Sequence, residues 1–280
     1  MILTEIRLCL EKLGVRPNRR LGQNFLYDQN IARRIVELAD IQHNEPTLEI
    51  GPGLGALTER IVQKTNQLTL IEKDFRFINY LRSRFPKVQI IEGDALREIS
   101  NLKPQISNFV VLGNLPYSIA SPLIVRLCET DLQPKRMLFT IQLEVAKRLT
   151  AQPRTHDFGL LTLLTQPFYE IKIVRKVPAS VFWPKPEITS AVIEMIRHPI
   201  QPFVETSVEA LFREFIKKAF QKRRKTLGAI FKKNLPKNIN PKCRPEELSV
   251  DQWICFGQTS LDSPPKEMFD VVNHLDEAIA

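Results

Sequence analysis

The sequence predicts an α/β fold: an open, mainly parallel sheet flanked by helices, followed by a small all-helical C-terminal domain. Three observations carry this. Short apolar runs alternate with amphipathic stretches from Thr47 to about residue 150. Strands buried on both faces read as continuous apolar runs, and the helices between them serve as crossovers. The first run ends in a glycine turn, Glu49-Ile50-Gly51-Pro52-Gly53-Leu54-Gly55, the usual opening of such a sheet. Beyond the proline-marked linker His198-Pro199-Ile200-Gln201-Pro202 the pattern is helical only.

In chain order, residues 4–13 have helical spacing, and a basic loop, Arg16-Pro17-Asn18-Arg19-Arg20, follows. Asp28 can cap a helix reaching about Asp40. Strands are predicted at 47–51, 67–72, 88–92, 108–113 and 136–141, with helices at about 55–64, 74–85, 119–129 and 142–150. A helix near 158–165 precedes two closing strands, 168–176 and 188–196, one expected to be antiparallel because only a loop joins them. Helices at 205–220, around 245–257 and at 264–279 complete the chain. The domains read as 1–198 and 199–280.

Composition narrows the function. The 280 residues are 43% hydrophobic and 25% charged, ordinary for a globular protein, and the net charge of +9 suits a polyanionic partner. Cys9, Cys128, Cys243 and Cys255 form no Cys-x-x-Cys pair, which argues against a disulfide frame or zinc site and for a reducing, cytoplasmic setting. His43, His156, His198 and His274 are scattered, without metal spacing. The chain shows no spanning-length apolar run, nucleophile-elbow Gly-x-Ser-x-Gly or Walker loop.

In an open α/β sheet ligands bind beyond the carboxyl ends of the strands, so the polar residues there are informative. These ends carry Glu49 and Gly51, then Glu72, then Gly93-Asp94, then Asn114-Leu115-Pro116-Tyr117. Glu72, twenty-one positions after Gly51, can accept both hydroxyls of a ribose. Two ligands fit: a dinucleotide and S-adenosyl-L-methionine. The dinucleotide turn is Gly-x-Gly-x-x-Gly; here it is one residue shorter and contains Pro52, and Asp94 offers a partner for adenine, so S-adenosylmethionine is favoured.

Asn114-Leu115-Pro116-Tyr117 is the sharpest motif. An exocyclic base amine is a poor nucleophile because its lone pair is delocalised into the ring. The Asn114 side-chain carbonyl and the Leu115 backbone carbonyl can each accept one of its N–H groups and free the lone pair. Pro116 stiffens the turn and Tyr117 offers a stacking face for an unstacked base. Val181-Phe182-Trp183-Pro184-Lys185-Pro186 suggests a second stacking wall, Phe182 opposite Tyr117. Residues 217–233 hold eight basic residues and no acid; Lys222, Arg223, Arg224 and Lys225 are the expected phosphate contacts, spread over about one helical turn.

With these motifs assembled, the chain resembles the ribosomal RNA adenine dimethyltransferases of the small-subunit type. The resemblance rests on LGQNFL at 21–26, EIGPGLGALT at 49–58, IEKD at 71–74, GDAL at 93–96, NLPYSIASPLI at 114–124, VFWPKPEITSAV at 181–192 and AFQKRRKTL at 219–227. It implies a Rossmann-like S-adenosylmethionine-dependent methyltransferase sheet that dimethylates N6 of two adjacent adenines near the 3′ end of small-subunit RNA. It also implies a small-subunit assembly intermediate as partner, a role in ribosome biogenesis and a monomeric protein. By matching motif, Asn24 and Leu26 lie at the cofactor's edge, Gly51 under its methionine part, Glu72 at the ribose, Asp94 at the adenine, and Asn114 between cofactor and target amine. One departure is Leu143 in Gln142-Leu143-Glu144, where the family often has lysine. The erythromycin-resistance methyltransferases share the architecture and act on large-subunit RNA, but Leu115 and the Arg-Arg-Lys-Thr-Leu segment favour the small-subunit type. Relatives that serve as assembly factors leave a non-catalytic RNA-binding role as the other alternative, which the intact 114–117 motif argues against.

Overall fold

The computed structural model describes residues 1–18, 22–102, 108–129, 132, 134–203 and 206–259. Arg19, Arg20, Leu21 and the helix expected at 264–279 lie outside the described residues. In chain order the elements are α1 (Leu3–Lys12), β1 (Phe25–Leu26), α2 (Gln29–Leu38), β2 (Thr47–Ile50), α3 (Thr58–Ile61), β3 (Leu68–Glu72), α4 (Phe75–Arg84), β4 (Gln89–Glu92), α5 (Ala95–Asn101), β5 (Val110–Asn114), α6 (Tyr117–Glu129), β6 (Arg136–Gln142), α7 (Leu143–Leu149), α8 (Leu160–Leu163), β7 (Tyr169–Val177), β8 (Phe182–Trp183), β9 (Ser190–Arg197), α9 (Thr206–Gln221), α10 (Leu227–Phe231) and α11 (Val250–Thr259). No described helix is long and apolar enough to cross a membrane.

Seven strands form one sheet in the order β4-β3-β2-β5-β6-β9-β7. β2 pairs in parallel with both β3 and β5, so the strand order reverses there. The chain goes outward to β4 on one side, then returns to build β5 and β6 on the other. Such a reversal opens a crevice at the carboxyl ends of the central strands. All four β2 residues are buried, as the continuous apolar run requires. The antiparallel member is β9, inserted between β6 and β7. β1 and β8 form a separate two-stranded sheet, Phe25 opposite Trp183 and Leu26 opposite Phe182.

Several elements depart from the expectation. The helix expected at 55–64 is only α3, because residues 53–57 remain in turns, so its N-terminus is not at the glycine turn. α5 was not expected; Asp94 starts it by accepting the Leu96 N–H at 3.0 Å. The β1–β8 pair was also not expected, each strand being two residues long.

The chain divides into two compact units, Met1–Lys147 with Tyr169–Arg197, and Arg148–Phe168 with the chain from His198 onward. The sequence division at 198 placed 148–168 in the first domain; the contacts group it with the helical one, where the Gln166 amide bonds the Leu149 and Ala151 carbonyls. The helical unit is held by aromatics: Phe215 stacks on Phe256 at 4.9 Å between ring centroids and Trp253 lies 5.5 Å from Phe256. The buried Trp253 indole donates to the Pro245 carbonyl at 3.2 Å.

Candidate functional site

Beyond the carboxyl ends of β2, β3, β4 and β5 lies a cavity of about 200 Å³. Its lining includes Gly51, Glu72, Asp94, Asn114 and Pro116, so residues from all four predicted strand ends share one wall. Asn24 and Leu26, more than twenty residues before β2, also line it.

The glycine turn shapes the floor. Gly53 has φ +55°, a conformation that costs a residue with a Cβ, and an added Cβ would press the Phe25 ring at 3.2 Å. The Gly53 N–H donates to Glu72 Oε2 at 3.1 Å, while Glu72 Oε1 accepts from the Lys73 and Asp74 N–H groups at 2.8 and 2.9 Å. Three fixed donors therefore lock the carboxylate into one orientation. Burial raises its pKa, and the three bonds oppose that shift. A carboxylate has about four acceptor positions, so one remains for a ligand hydroxyl, and the two-hydroxyl role expected of Glu72 is reduced to one.

At the β4 end Asp94 has two tasks. Oδ1 caps α5, and Oδ2 lies 2.7 Å from the Lys73 ammonium, which holds the carboxyl below its usual range. Lys73 lines the cavity but was not singled out in the sequence. Its neighbour Asp74 caps α4 and pairs with Arg76 at 2.6 Å. The Arg76 bonds are the main cause of its lowered pKa.

Asn114 ends β5 with its Nδ2 donating to the main-chain carbonyl of Asn24 at 2.7 Å. A carbonyl only accepts, so this bond fixes which end of the amide is which and leaves Oδ1 as the free acceptor. Leu115 follows with its side chain buried and its N–H on the Thr140 carbonyl. Pro116 packs against Gly22, where an added Cβ would meet Pro116 Cβ at 2.9 Å. Tyr117 opens α6, its hydroxyl 2.6 Å from Ser190 Oγ, and burial raises its pKa.

Phe182 does not form the expected stacking wall. It is 2% exposed and packs in the core with Leu26, Val177 and Val181, so its ring has no open face. The alternation of β8 turns Phe182 inward and leaves Trp183 half-buried, with the Arg7 guanidinium 5.7 Å from its ring. The basic segment also differs from expectation. α9 ends at Gln221, so Lys222, Arg223, Arg224 and Lys225 lie in the turn before α10 rather than in a helix. Lys222, Arg224 and Lys225 are exposed; Arg223 instead donates to the Thr155 and His156 carbonyls at 3.4 and 3.0 Å.

Glu49 is a buried acid of the lining with no evident ligand role. Its Oε2 accepts from the Thr58 hydroxyl at 2.6 Å. Burial pushes its pKa up to about 8, and the nearby Glu72 charge adds to the rise. Between the ordinary value of 4.5 and about 8, the folded chain holds a proton that the unfolded chain releases. Folding stability from this group is full below the lower value and falls as pH rises through the upper one. Glu49→Gln cannot ionise and should remove that slope. Melting curves of both proteins from about pH 5 to about pH 9 test this; the wild type should lose ground to the variant as pH rises, and parallel curves would refute it.

The sequence profile of the family described as "Ribosomal RNA adenine dimethylase" matches residues 14–252. Ribosomal RNA small subunit methyltransferase A of Chlorobium phaeobacteroides (strain BS1) is 38% identical over 241 residues, covering 84% of this chain and 90% of that protein. The protein of the same name from Geobacillus sp. (strain WCH70) is 35% identical over 274 residues, covering 90% and 94%. Among solved structures, a dimethyladenosine transferase from Plasmodium falciparum matches with a TM-score of 0.74 at 24% identity, over 85% of this chain and 98% of that one. The 23S rRNA methyltransferase ErmE matches at 0.66 with 25% identity, over 84% and 98%.

Proposed function

Because the chain belongs to the ribosomal RNA adenine dimethylase family, we propose that it is a methyltransferase that dimethylates N6 of adenine in small-subunit ribosomal RNA. S-adenosylmethionine is the donor; when bound, it supplies an electrophilic methyl group on a sulfonium sulfur. The observation that carries the reading is the Asn114 amide, held by the Asn24 carbonyl with its oxygen free at the edge of the cavity that Glu72 and Asp94 also line.

The residues fit that donor. The remaining acceptor position of Glu72 takes a ribose hydroxyl, Asp94 receives the adenine amine once Lys73 shares it, and the Gly51 turn lies under the methionine part. Asn24 and Leu26 close the edge. At the acceptor end Asn114 Oδ1 and the Leu115 carbonyl each take an N–H of the target amine, which localises its lone pair. Tyr117 stacks on the base, and its bond to Ser190 sets the ring plane. S-adenosylmethionine would supply the methyl group to the amine nitrogen held by Asn114 and Leu115, with the sulfonium sulfur as leaving group, and the amine's extra proton would pass to water. No tuned general base is required, so alignment carries most of the rate.

The substrate is two adjacent adenines near the 3′ end of the RNA, within a small-subunit assembly intermediate, and the protein acts as a monomer in the cytoplasm. The test is methyl transfer to small-subunit particles, with the modified adenines mapped. Methylation on large-subunit RNA would replace this reading with the erythromycin-resistance type. Binding without single-turnover transfer would leave a non-catalytic assembly role.

The helical unit contributes non-specific RNA affinity through Lys222, Arg224 and Lys225. Replacing these three with Gln should weaken RNA binding and flatten its log–log salt dependence by about one unit per lost contact. Arg223→Gln should instead mainly destabilise the helical unit. RNA affinity across a salt series measures the first, and an unchanged slope would make the three lysine and arginine side chains a solvated surface only.

A further inference from the structure

We propose that Gln23 is a positioning residue for methyl transfer, tying the cofactor end of the cavity to the acceptor end; this role rests on the methyltransferase reading above. Residues 22–24 touch both ends. The Gln23 amide is used twice: Oε1 accepts from the Asn18 N–H at 2.8 Å, and Nε2 donates to Asp74 Oδ2 at 2.9 Å. The Gln23 main-chain N–H returns to the Asn18 carbonyl at 3.2 Å. Asp74 is a firm anchor, because it is buried, caps α4 and is paired with Arg76, one residue from the Lys73 that partners Asp94.

One residue beyond Gln23, the Asn24 carbonyl holds the Asn114 amide; one residue before it, Gly22 lies against Pro116. The linkage therefore runs from Asp74 through Gln23 and the Asn24 carbonyl to Asn114. Gln23 touches neither reacting atom. It fixes the segment whose carbonyl decides which end of the Asn114 amide faces the target amine. Without the Asp74 bond the segment keeps its Asn18 contacts and the β1–β8 pairing but loses its side-chain tie to the start of α4, and the orientation of Asn114 is no longer enforced from the cofactor side.

The test exchanges donor and acceptor. Gln23→Glu sets a carboxylate against the Asp74 carboxylate while still accepting from Asn18. Adding Asp74→Asn sets an N–H against the new carboxylate and restores that bond with the roles reversed; the same N–H also faces Arg76 Nη2, which had bonded Oδ2, so the Asp74→Asn single variant is the reference for the rescue. Steady-state methylation of small-subunit particles should show kcat for Gln23→Glu lowered at least about tenfold and KM for S-adenosylmethionine raised, with most of the kcat returned in the double variant. A kcat within about twofold of wild type, or a loss that Asp74→Asn does not rescue, overturns the proposal. Should Gln23→Glu not fold, Gln23→Ala is measured instead, and an unchanged kcat overturns it equally. A wild-type protein that transfers no methyl group would sink the functional reading itself; an active wild type with no Gln23 effect sinks only this inference.

Discussion

Asn114→Ala should slow methyl transfer by about 10²–10³-fold while leaving the affinity for S-adenosylmethionine within a few-fold of wild type. The magnitude is that of removing one pre-aligned polar group aimed at a reacting centre. The asymmetry follows from geometry. Asn114 Nδ2 is committed to the Asn24 carbonyl, which leaves Oδ1 for the proposed acceptor, and Glu72, proposed for the ribose, belongs to a different strand. Alanine removes the side-chain acceptor that, on the proposed reading, the end of β5 offers to the target amine. Single-turnover rates and calorimetric affinities, measured on the same preparation, separate the two effects. Equal losses in both would make Asn114 chiefly a cofactor ligand.

Glu72→Gln should weaken S-adenosylmethionine binding about a hundredfold or more, although the change is nearly isosteric. Both carboxylate oxygens accept main-chain N–H groups, Gly53 on one side and Lys73 with Asp74 on the other. An amide has one acceptor oxygen. Whichever way it is turned, its NH₂ faces at least one backbone donor, and that buried donor loses its partner at a cost of about 1–3 kcal/mol. The turn at Gly53 or the start of α4 must then move, and the ribose loses its acceptor as well. Calorimetry with S-adenosylmethionine measures the loss, and NADH titrated alongside wild type should produce no binding heat. Near-normal affinity of Glu72→Gln would show that the cofactor does not use this acid.

The sequence disclosed the sheet because each inner strand is an apolar run, and β2, β5 and β6 are buried along nearly their whole length. The site was legible for the same reason: the ends of parallel strands gather on one rim, and the polar residues after each run had to meet there. What could not be read were pairings between distant short segments. β1 and β8 have two residues each and meet across more than 150 positions, too little for an alternating pattern to register. That pairing is what turns Phe182 inward. Lys73 and Gln23 escaped notice because each takes its meaning from a partner on another strand or loop, Asp94 and Asp74. α5 lies beyond what the strand pattern shows, because Asp94 serves both as its cap and at the strand end, and only Ala95 and Ile99 give it a buried face.

The place of β9 has a consequence for how this chain is made. β6 is almost entirely buried, and one of its edges pairs with β5, which leaves the ribosome before it. The other pairs with residues 190–197, which emerge some fifty residues later, after a segment that belongs to the other unit. During that interval the nascent chain carries an apolar strand with one row of unpaired N–H and C=O groups, the kind of edge that recruits other chains. Synthesis stalled between residues 142 and 190 would thus release an adhesive fragment with its glycine turn and Asn114 already made, and the last strand to arrive, β9, is the one that makes the nascent sheet safe.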